Sequence, residues 1–397
     1  MYLLILTTLL AQTLGLAVPG VVSDINAANT VDADTLPFPS RQVFQFSQLG
    51  TWIENVAARS NGDLLFTLLQ PAPQLYALTA VQSNAPQTTL LYEFPDMTGL
   101  LGITEIAPDV FVVAGGKFNG TANPIFGTFS LWQVSLAETH MPCNVNCNDG
   151  APQPSFTKLL DLPYHVYPNG LTSVPGKPGV ILIADSTGSL LRVDVNLNQI
   201  DTVAAVPEML PVPGWPFLMG INGIKIYNGY VYWTNSFAAT MYRMAIDEDG
   251  FPVVGTSYPA CVTATAADAD ATPTFTPKVE KSIDSTNVTV ETVVFMPITF
   301  MDDFAVADDG TLWITTNPNN TVVAYNQDTS KSVVVAGGQT QEIMAGANAA
   351  VFGRTDTDSH ILYVVTAGGL NSPVNGTFVE PAKVMGIDTS NAKANGF

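Results

Sequence analysis

Cations are scarce in this chain: its 397 residues hold 14 Lys and Arg against 34 Asp and Glu, a net charge of −20. That sign repels phosphate backbones and anionic lipid headgroups, which argues against nucleic acid or a membrane surface as a partner. Histidine and cysteine are few, at 3 each. Cys143 and Cys147 in MPCNVNCNDG form a plausible small-loop disulfide in an oxidising compartment, with Cys261 left over. Zinc is the weaker reading of that pair, because no histidine falls at ligand spacing from it. Helical periodicity is also missing, since no segment sustains it beyond a few turns. There is no G-x-S-x-G nucleophile motif and no glycine-rich phosphate loop. Long apolar runs are absent after the first residues, so no membrane span is expected.

The exception is the N-terminus, MYLLILTTLLAQTLGLAVPG, whose apolar core is too short to cross a bilayer and is shaped like a secretory signal over residues 1–17. The other reading is a buried N-terminal segment. Four N-x-[ST] sequons, at Asn119, Asn287, Asn319 and Asn375, agree with passage through the secretory pathway and with glycosylation.

What the chain does have is β-type patterning. Its 31 Gly and 28 Pro punctuate short runs rich in Val, Ile, Tyr and Phe. A unit recurs: a polar residue, a short apolar strand, a turn, then a strand ending in small or polar residues. It begins at Glu54, Thr104, Asn169, Asn222, Asp302 and Asn348, at irregular spacings of roughly 45 to 80 residues. A third short strand follows each copy (QLYALTA, SLWQVSL, SLLRVDV, TMYRMAID, TVVAYNQ, KVMGIDT), and a fourth follows the first five. The pattern predicts an all-β, six-bladed β-propeller over residues 41–397, with four antiparallel strands per blade. The sixth unit runs out of chain, so QVFQFSQ, before the first copy, is expected to complete the last blade and close the ring. Residues 18–40 would be a leader, and 262–284, rich in Ala, Thr, Asp and Pro, an insertion in the fourth blade. A two-domain β-sandwich would leave the six copies unexplained.

In a propeller the first strand of each blade lines the central channel, so the opening polar residues should meet at its mouth. Glu54, Thr104, Asn169, Asn222, Asp302 with Asp303, and Asn348 together offer the oxygen-rich set that Ca²⁺ accepts. The same residue types also cap strand entrances by bonding nearby amides, so both readings stand. Aromatics cluster just before these positions: Trp52, Tyr164 and Tyr167 around His165, Trp215 and Phe217, and Phe300. They would roof a concave, mostly apolar pocket with a polar floor, or else plug the seams between blades. His165 is a candidate proton donor or a plain surface histidine.

With these motifs the sequence resembles the SMP-30/gluconolactonase/strictosidine-synthase-like six-bladed propellers. Glu54 in IENV, Asn169 in NGLT and Asp302 or Asp303 in MDDF match the divalent-cation ligands of the lactonase branch. The stretches TWIENVAARSNGDLLFT, GINGIKIYNGYVYWTNS and AAVFGRTDTDSHILYVVTAGG are similar to those of fungal specialised-metabolism propellers, among them the hetero-Diels-Alderases of tropolonic sesquiterpenoid biosynthesis. That likeness implies a pericyclase acting on small apolar substrates, a quinone-methide-type diene and a terpene alkene, with no cofactor. Asn169, Asn222, His165 and Tyr167 would donate hydrogen bonds to the diene oxygen, and the remaining positions would line the pocket. The lactonase likeness implies Ca²⁺-dependent hydrolysis instead. A non-catalytic secreted binding propeller is the third reading.

Overall fold

The computed structural model describes residues 36–120, 123–136, 153–215, 217–254, 278–282 and 288–392. Six sheets of antiparallel strands stand around one axis. Their innermost strands are Trp52–Ala58, Gly99–Ala107, Pro168–Ser173, Ile221–Tyr227, Phe304–Val306 and Ala347–Phe352, which begin blades 1 to 6. Among the described residues no α-helix occurs, and no helix is long and apolar enough to cross a membrane. The strand Ser40–Gln45 pairs antiparallel with Lys383–Asp388 and completes blade 6, so the last blade is built from both ends of the propeller. The expected closure is met, and it removes the open edge that would otherwise template pairing with another chain.

The second strand of each blade is almost wholly buried, whereas outer strands such as Gln87–Glu93 are partly open to solvent. The reason is the stacking of blades face to face, since an inner strand is covered on both sides. The buried side chains accordingly separate into six apolar clusters, one per seam: Leu65 with Phe111 between blades 1 and 2, Leu182 with Trp233 between 3 and 4, Tyr363 with Phe66 between 6 and 1.

The seams are also bolted by hydroxyls. Thr67 Oγ1 donates to Leu101 O (2.7 Å), Thr234 Oγ1 to Asp302 O (2.7 Å) and Thr315 Oγ1 to Asn348 O (2.7 Å), each from a second strand to the next blade's first. Thr315→Val keeps the shape and removes one hydroxyl hydrogen shared between the Asn348 and Asp303 carbonyls, each of which keeps a backbone donor, so it should cost about 0.5–1.5 kcal/mol in urea unfolding, with little change in the slope.

Between the third strand of blade 4, Thr240–Ala245, and its fourth, Val290–Phe295, the chain carries a strand, Lys278–Ser282, that pairs in parallel with Gln199–Ala204 of blade 3, making that sheet five-stranded. An outer strand has an unused row of N–H and C=O groups, and this segment covers it. The rest of the insertion, Cys143, Cys147, Cys261, the sequon at Asn287, and the signal-like segment lie outside the described residues. Asn119 and Asn375 are exposed, and Asn319 is half-buried.

Candidate functional site

Five of the six inner strands open with a bulge, and the bulged residues stand at or just beneath the channel mouth. The ladder skips from Ile53 to Asn55 around Glu54, from Pro168 to Leu171 around Asn169, from Ile221 to Ile224 around Asn222, and from Ala347 to Ala349 around Asn348. A glycine often follows, because the neighbouring blade passes very close. A Cβ on Gly170 would lie 2.6 Å from Asn222 O, and one on Gly223 would lie 2.6 Å from Asp303 Cα. The Asn222-Gly223 pair is therefore a seam motif, whereas Asn228-Gly229 is a two-residue hairpin turn with both residues at positive φ.

In blade 2 the bulge falls between Leu100 and Ile103, and the seam bond from Thr67 reaches Leu101. Leu101, not Thr104, holds the mouth position there. Thr104 sits three residues deeper, opposite Val112, and lines a depression at the far end of the channel. The sequence GLLGITEI carries no polar marker at the bulge, and the first polar residue after it misled the assignment.

At the mouth lies a cavity of ≈ 190 Å³ measured for the centres of water molecules. Glu54, Asn169, Asn222 and Asp302 meet in it with Trp52, Tyr167, Phe217 and Phe300, as expected. The structure adds Leu69, Met219, Phe237, Asn317, Pro318, Asn371 and Ser372. Most of these follow second strands, whose ends return to the same face as the starts of the first strands. Phe237 knits the roof: it stacks on Trp215 (4.5 Å) and Phe217 (6.2 Å) and meets Phe300 edge-on (5.0 Å).

Besides Thr104, five expected residues do not line the cavity. In PYHVYPN the chain turns so that Val166 and Tyr167 point inward, leaving Tyr164 75% exposed and His165 in solvent. Trp215 touches the site only through Phe237. Asn348 is buried beneath it, donating from Nδ2 to Ile53 O and accepting from Asn317 Nδ2. The two neighbouring acids also part company. Asp302 faces the cavity and accepts from Asn222 Nδ2 (3.0 Å) and Asn317 Nδ2 (3.3 Å). Asp303 points down the channel to Lys225 Nζ (2.6 Å) and Asn55 Nδ2 (3.2 Å).

Burial dominates the electrostatics of the floor. It pushes the Glu54 carboxyl up to about 7, with the Asp303 charge adding to it. The adjacent Trp52 indole works the other way, although its buried N–H finds no acceptor at hydrogen-bond geometry. Asp302 is held well above the usual carboxylate range, by burial first and then by Glu54. Tyr167 is likewise pushed up by burial and by both acids, so its phenol keeps its proton. The floor thus holds carboxyl and phenol groups whose protonated forms burial favours, under an apolar, aromatic roof.

No protein-family model matches the chain. It is similar to a protein of Sarocladium schorii named provisionally as a hetero-Diels-Alderase, at 27% identity over 83% of this chain and 78% of that one. A protein of a Phoma species with the same provisional name is 24% identical over 85% of this chain and 89% of its own. Among solved structures, the calcium-binding protein regucalcin of Agrobacterium tumefaciens superposes with a TM-score of 0.54 at 13% identity, over 89% of this chain and 95% of that one. A provisionally named gluconolactonase gives 0.50 at 11%, over 89% and 94%. These two likenesses speak to the fold. The resemblance read from the motifs is supported on both counts: the chain has the propeller fold of the gluconolactonase-like proteins, and along most of its length it is similar to proteins named as hetero-Diels-Alderases.

Proposed function

We propose that the protein is a specialised-metabolism pericyclase that joins a quinone-methide-type diene to a terpene alkene by an intermolecular hetero-Diels-Alder reaction in this cavity. The names of its two relatives support the reaction class. The observation that carries the reading in this chain is the pairing of an apolar roof with a floor that holds the Glu54 carboxyl and the Tyr167 phenol.

The chemistry asks for nothing more. The exocyclic methylene of the diene forms a C–C bond to one alkene carbon while its carbonyl oxygen forms a C–O bond to the other. Three π bonds become two σ bonds and one π bond of the restored aromatic ring, so nothing is oxidised, reduced or expelled. The aromatic roof of Phe217, Phe237 and Phe300 holds the two partners at reacting distance. Donors aimed at the carbonyl oxygen lower the energy of the accepting diene and strengthen as charge gathers on that oxygen.

Calcium, which the lactonase likeness implies, fits these residues poorly. Asp303 is occupied by the Lys225 ammonium, and Asp302 receives amide N–H groups where an ion would need oxygen. This supports the metal-free reading. The test is adduct formation by protein treated with EDTA, which should proceed undiminished. Loss on chelation with recovery on adding Ca²⁺ would overturn the proposal. With Glu54 donating as the neutral acid, the rate should fall as pH rises through about 7. In Glu54→Gln, whose amide donates at every pH, that fall should vanish, and an unchanged pH profile would contradict the role.

A further inference from the structure

The phenol on the cavity floor is held from behind by a turn of the same blade. Tyr167 ends the segment that leads into blade 3, and its ring lies against Phe129 (5.7 Å) and edge-on to Phe118 (6.2 Å) of blade 2. Apolar contacts of that kind are non-directional, so they wall the ring without fixing how far it reaches along its own axis. The backbone supplies that constraint. Tyr167 N–H donates to Asp185 Oδ1 (2.9 Å), and its carbonyl accepts from Ser186 N–H (2.9 Å). Both polar backbone atoms of Tyr167 are thus taken by consecutive residues where the second strand, Val180–Asp185, enters its turn.

A side chain is needed there because of the next residue. Pro168 stands opposite Asp185 in the ladder and has no N–H to give it. The Asp185 side chain stands in by taking the N–H of the residue before. Asp185 is fully buried, and three more donors fix its own angle: Thr187 N–H (3.1 Å) on Oδ1, and the Thr187 and Ser189 hydroxyls (2.7 Å each) on Oδ2. The turn is itself tied to blade 4, since Ser186 Oγ donates to Ile221 O (2.8 Å) and Ser186 O accepts from Gly220 N–H (2.8 Å). Asn235 has the matching place in blade 4, where its Nδ2 donates to Glu208 O (3.1 Å) and Leu210 O (2.8 Å) of the segment leading into that blade. The end of a second strand grips the entering chain in both blades, and in blade 3 the gripped residue carries a group of the cavity floor.

We infer that Asp185 is a positioning residue for the reaction, setting the reach of the Tyr167 phenol to the diene oxygen. The inference rests on the reading of this cavity as the site of cycloaddition, with Tyr167 as a donor in it. A hydrogen bond to an oxygen that gains charge in the transition state is worth most when the donor is already in place. Loosening the grip on Tyr167 should therefore lower kcat and leave KM, which the aromatic roof governs, nearly as it was.

The test is the kinetics of adduct formation by the full chain from a quinone-methide precursor and a humulene-type alkene. Asp185→Ser is the informative variant, because a serine hydroxyl can still accept the Thr187 N–H two residues on but is too short to reach Tyr167. It should lower kcat about tenfold. In Asp185→Asn the amide oxygen can keep both N–H bonds while its NH₂ donates to the two hydroxyls, which turn to accept, so most of the rate should return. Tyr167→Phe should lower kcat roughly 10²-fold, and adding Asp185→Ser to it should lower kcat no further, because the group being aimed is gone. A merely structural role would give the same loss in both backgrounds and would move KM as well. If Asp185→Ser does not fold, Ser189→Ala takes its place: it strips one hydroxyl from Asp185 and should cost roughly threefold in wild type and nothing in Tyr167→Phe. Wild-type kcat in the Asp185 variant or its substitute, or an equal loss on top of Tyr167→Phe, overturns the inference and leaves Tyr167 as a donor. Wild-type kcat in Tyr167→Phe sinks the reading of the floor, and the inference with it.

Discussion

Replacing Glu54 by leucine should slow adduct formation by roughly 10²–10³-fold, the usual cost of losing one donor at a developing oxyanion, without weakening the fold. The two halves of that outcome have the same cause. Glu54 lines the floor of the cavity, half-buried, with its carboxyl raised from 4.5 to about 7. The folded protein therefore binds this proton more tightly than the unfolded chain does. Whatever stability the group gives is fully present below about 4.5, falls as pH rises from there towards 7, and is gone above it. Above 7 the fold carries a buried carboxylate at a cost of roughly 3 kcal/mol by linkage. Leucine removes that charge and fills similar space. Thermal melts should place the variant at or above wild type at pH 8, with the advantage shrinking towards pH 4.5. A large loss of stability at pH 8 would show that Glu54 holds the structure together and is not a tolerated functional acid.

Gly223→Ala should destabilise the protein by roughly 3 kcal/mol or more, beyond the ordinary range for an added methylene in a core. The new Cβ would lie 2.6 Å from both Asp303 Cα and Asp303 Oδ1, and 3.0 Å from Asp302 O. Asp303 Cα and Asp302 O are backbone atoms just ahead of the next blade's first strand, so no side-chain rotation relieves those two contacts. Gly229→Ala is the matched control, six residues on in the same blade. Its Cβ meets nothing within 4 Å, and only its positive φ of 80° is strained, which costs about 1–2 kcal/mol. Urea unfolding of the two variants should separate them clearly. Equal losses would mean that the blades give way at the seam and that the close approach does not select glycine.

Those two Asn-Gly pairs illustrate how far the sequence reaches. Strand periodicity, the six copies and the orphan segment before the first of them were enough to predict the blades and their closure, because a strand covered on both faces must be apolar and short. Glu54, Asn169, Asn222 and Asp302 were legible as mouth residues because each interrupts an apolar strand at its start. Leu101 was not, since an apolar residue at a bulge looks like the strand around it. Phe237, Asn317 and Asn371 were hidden for another reason: they follow second strands, and only the hairpin geometry returns them to the mouth. The separate fates of Asp302 and Asp303, one in the cavity and one on Lys225, depend on partners about eighty residues away and on the direction of one peptide unit. His165 was favoured by its chemistry, yet the turn that buries Tyr167 places it outside.

The most direct test of the central claim is the enantiomeric excess of the cycloadduct formed from a quinone-methide precursor and a humulene-type alkene with purified, EDTA-treated protein. The uncatalysed reaction in water has no chiral influence and gives a racemate. A cavity that orients both partners under Phe217, Phe237 and Phe300, with Glu54 and Tyr167 on the diene oxygen, should give one enantiomer in large excess with wild type and a near-racemate with Glu54→Leu. A racemic product from wild type, at the rate of the reaction without protein, would contradict it.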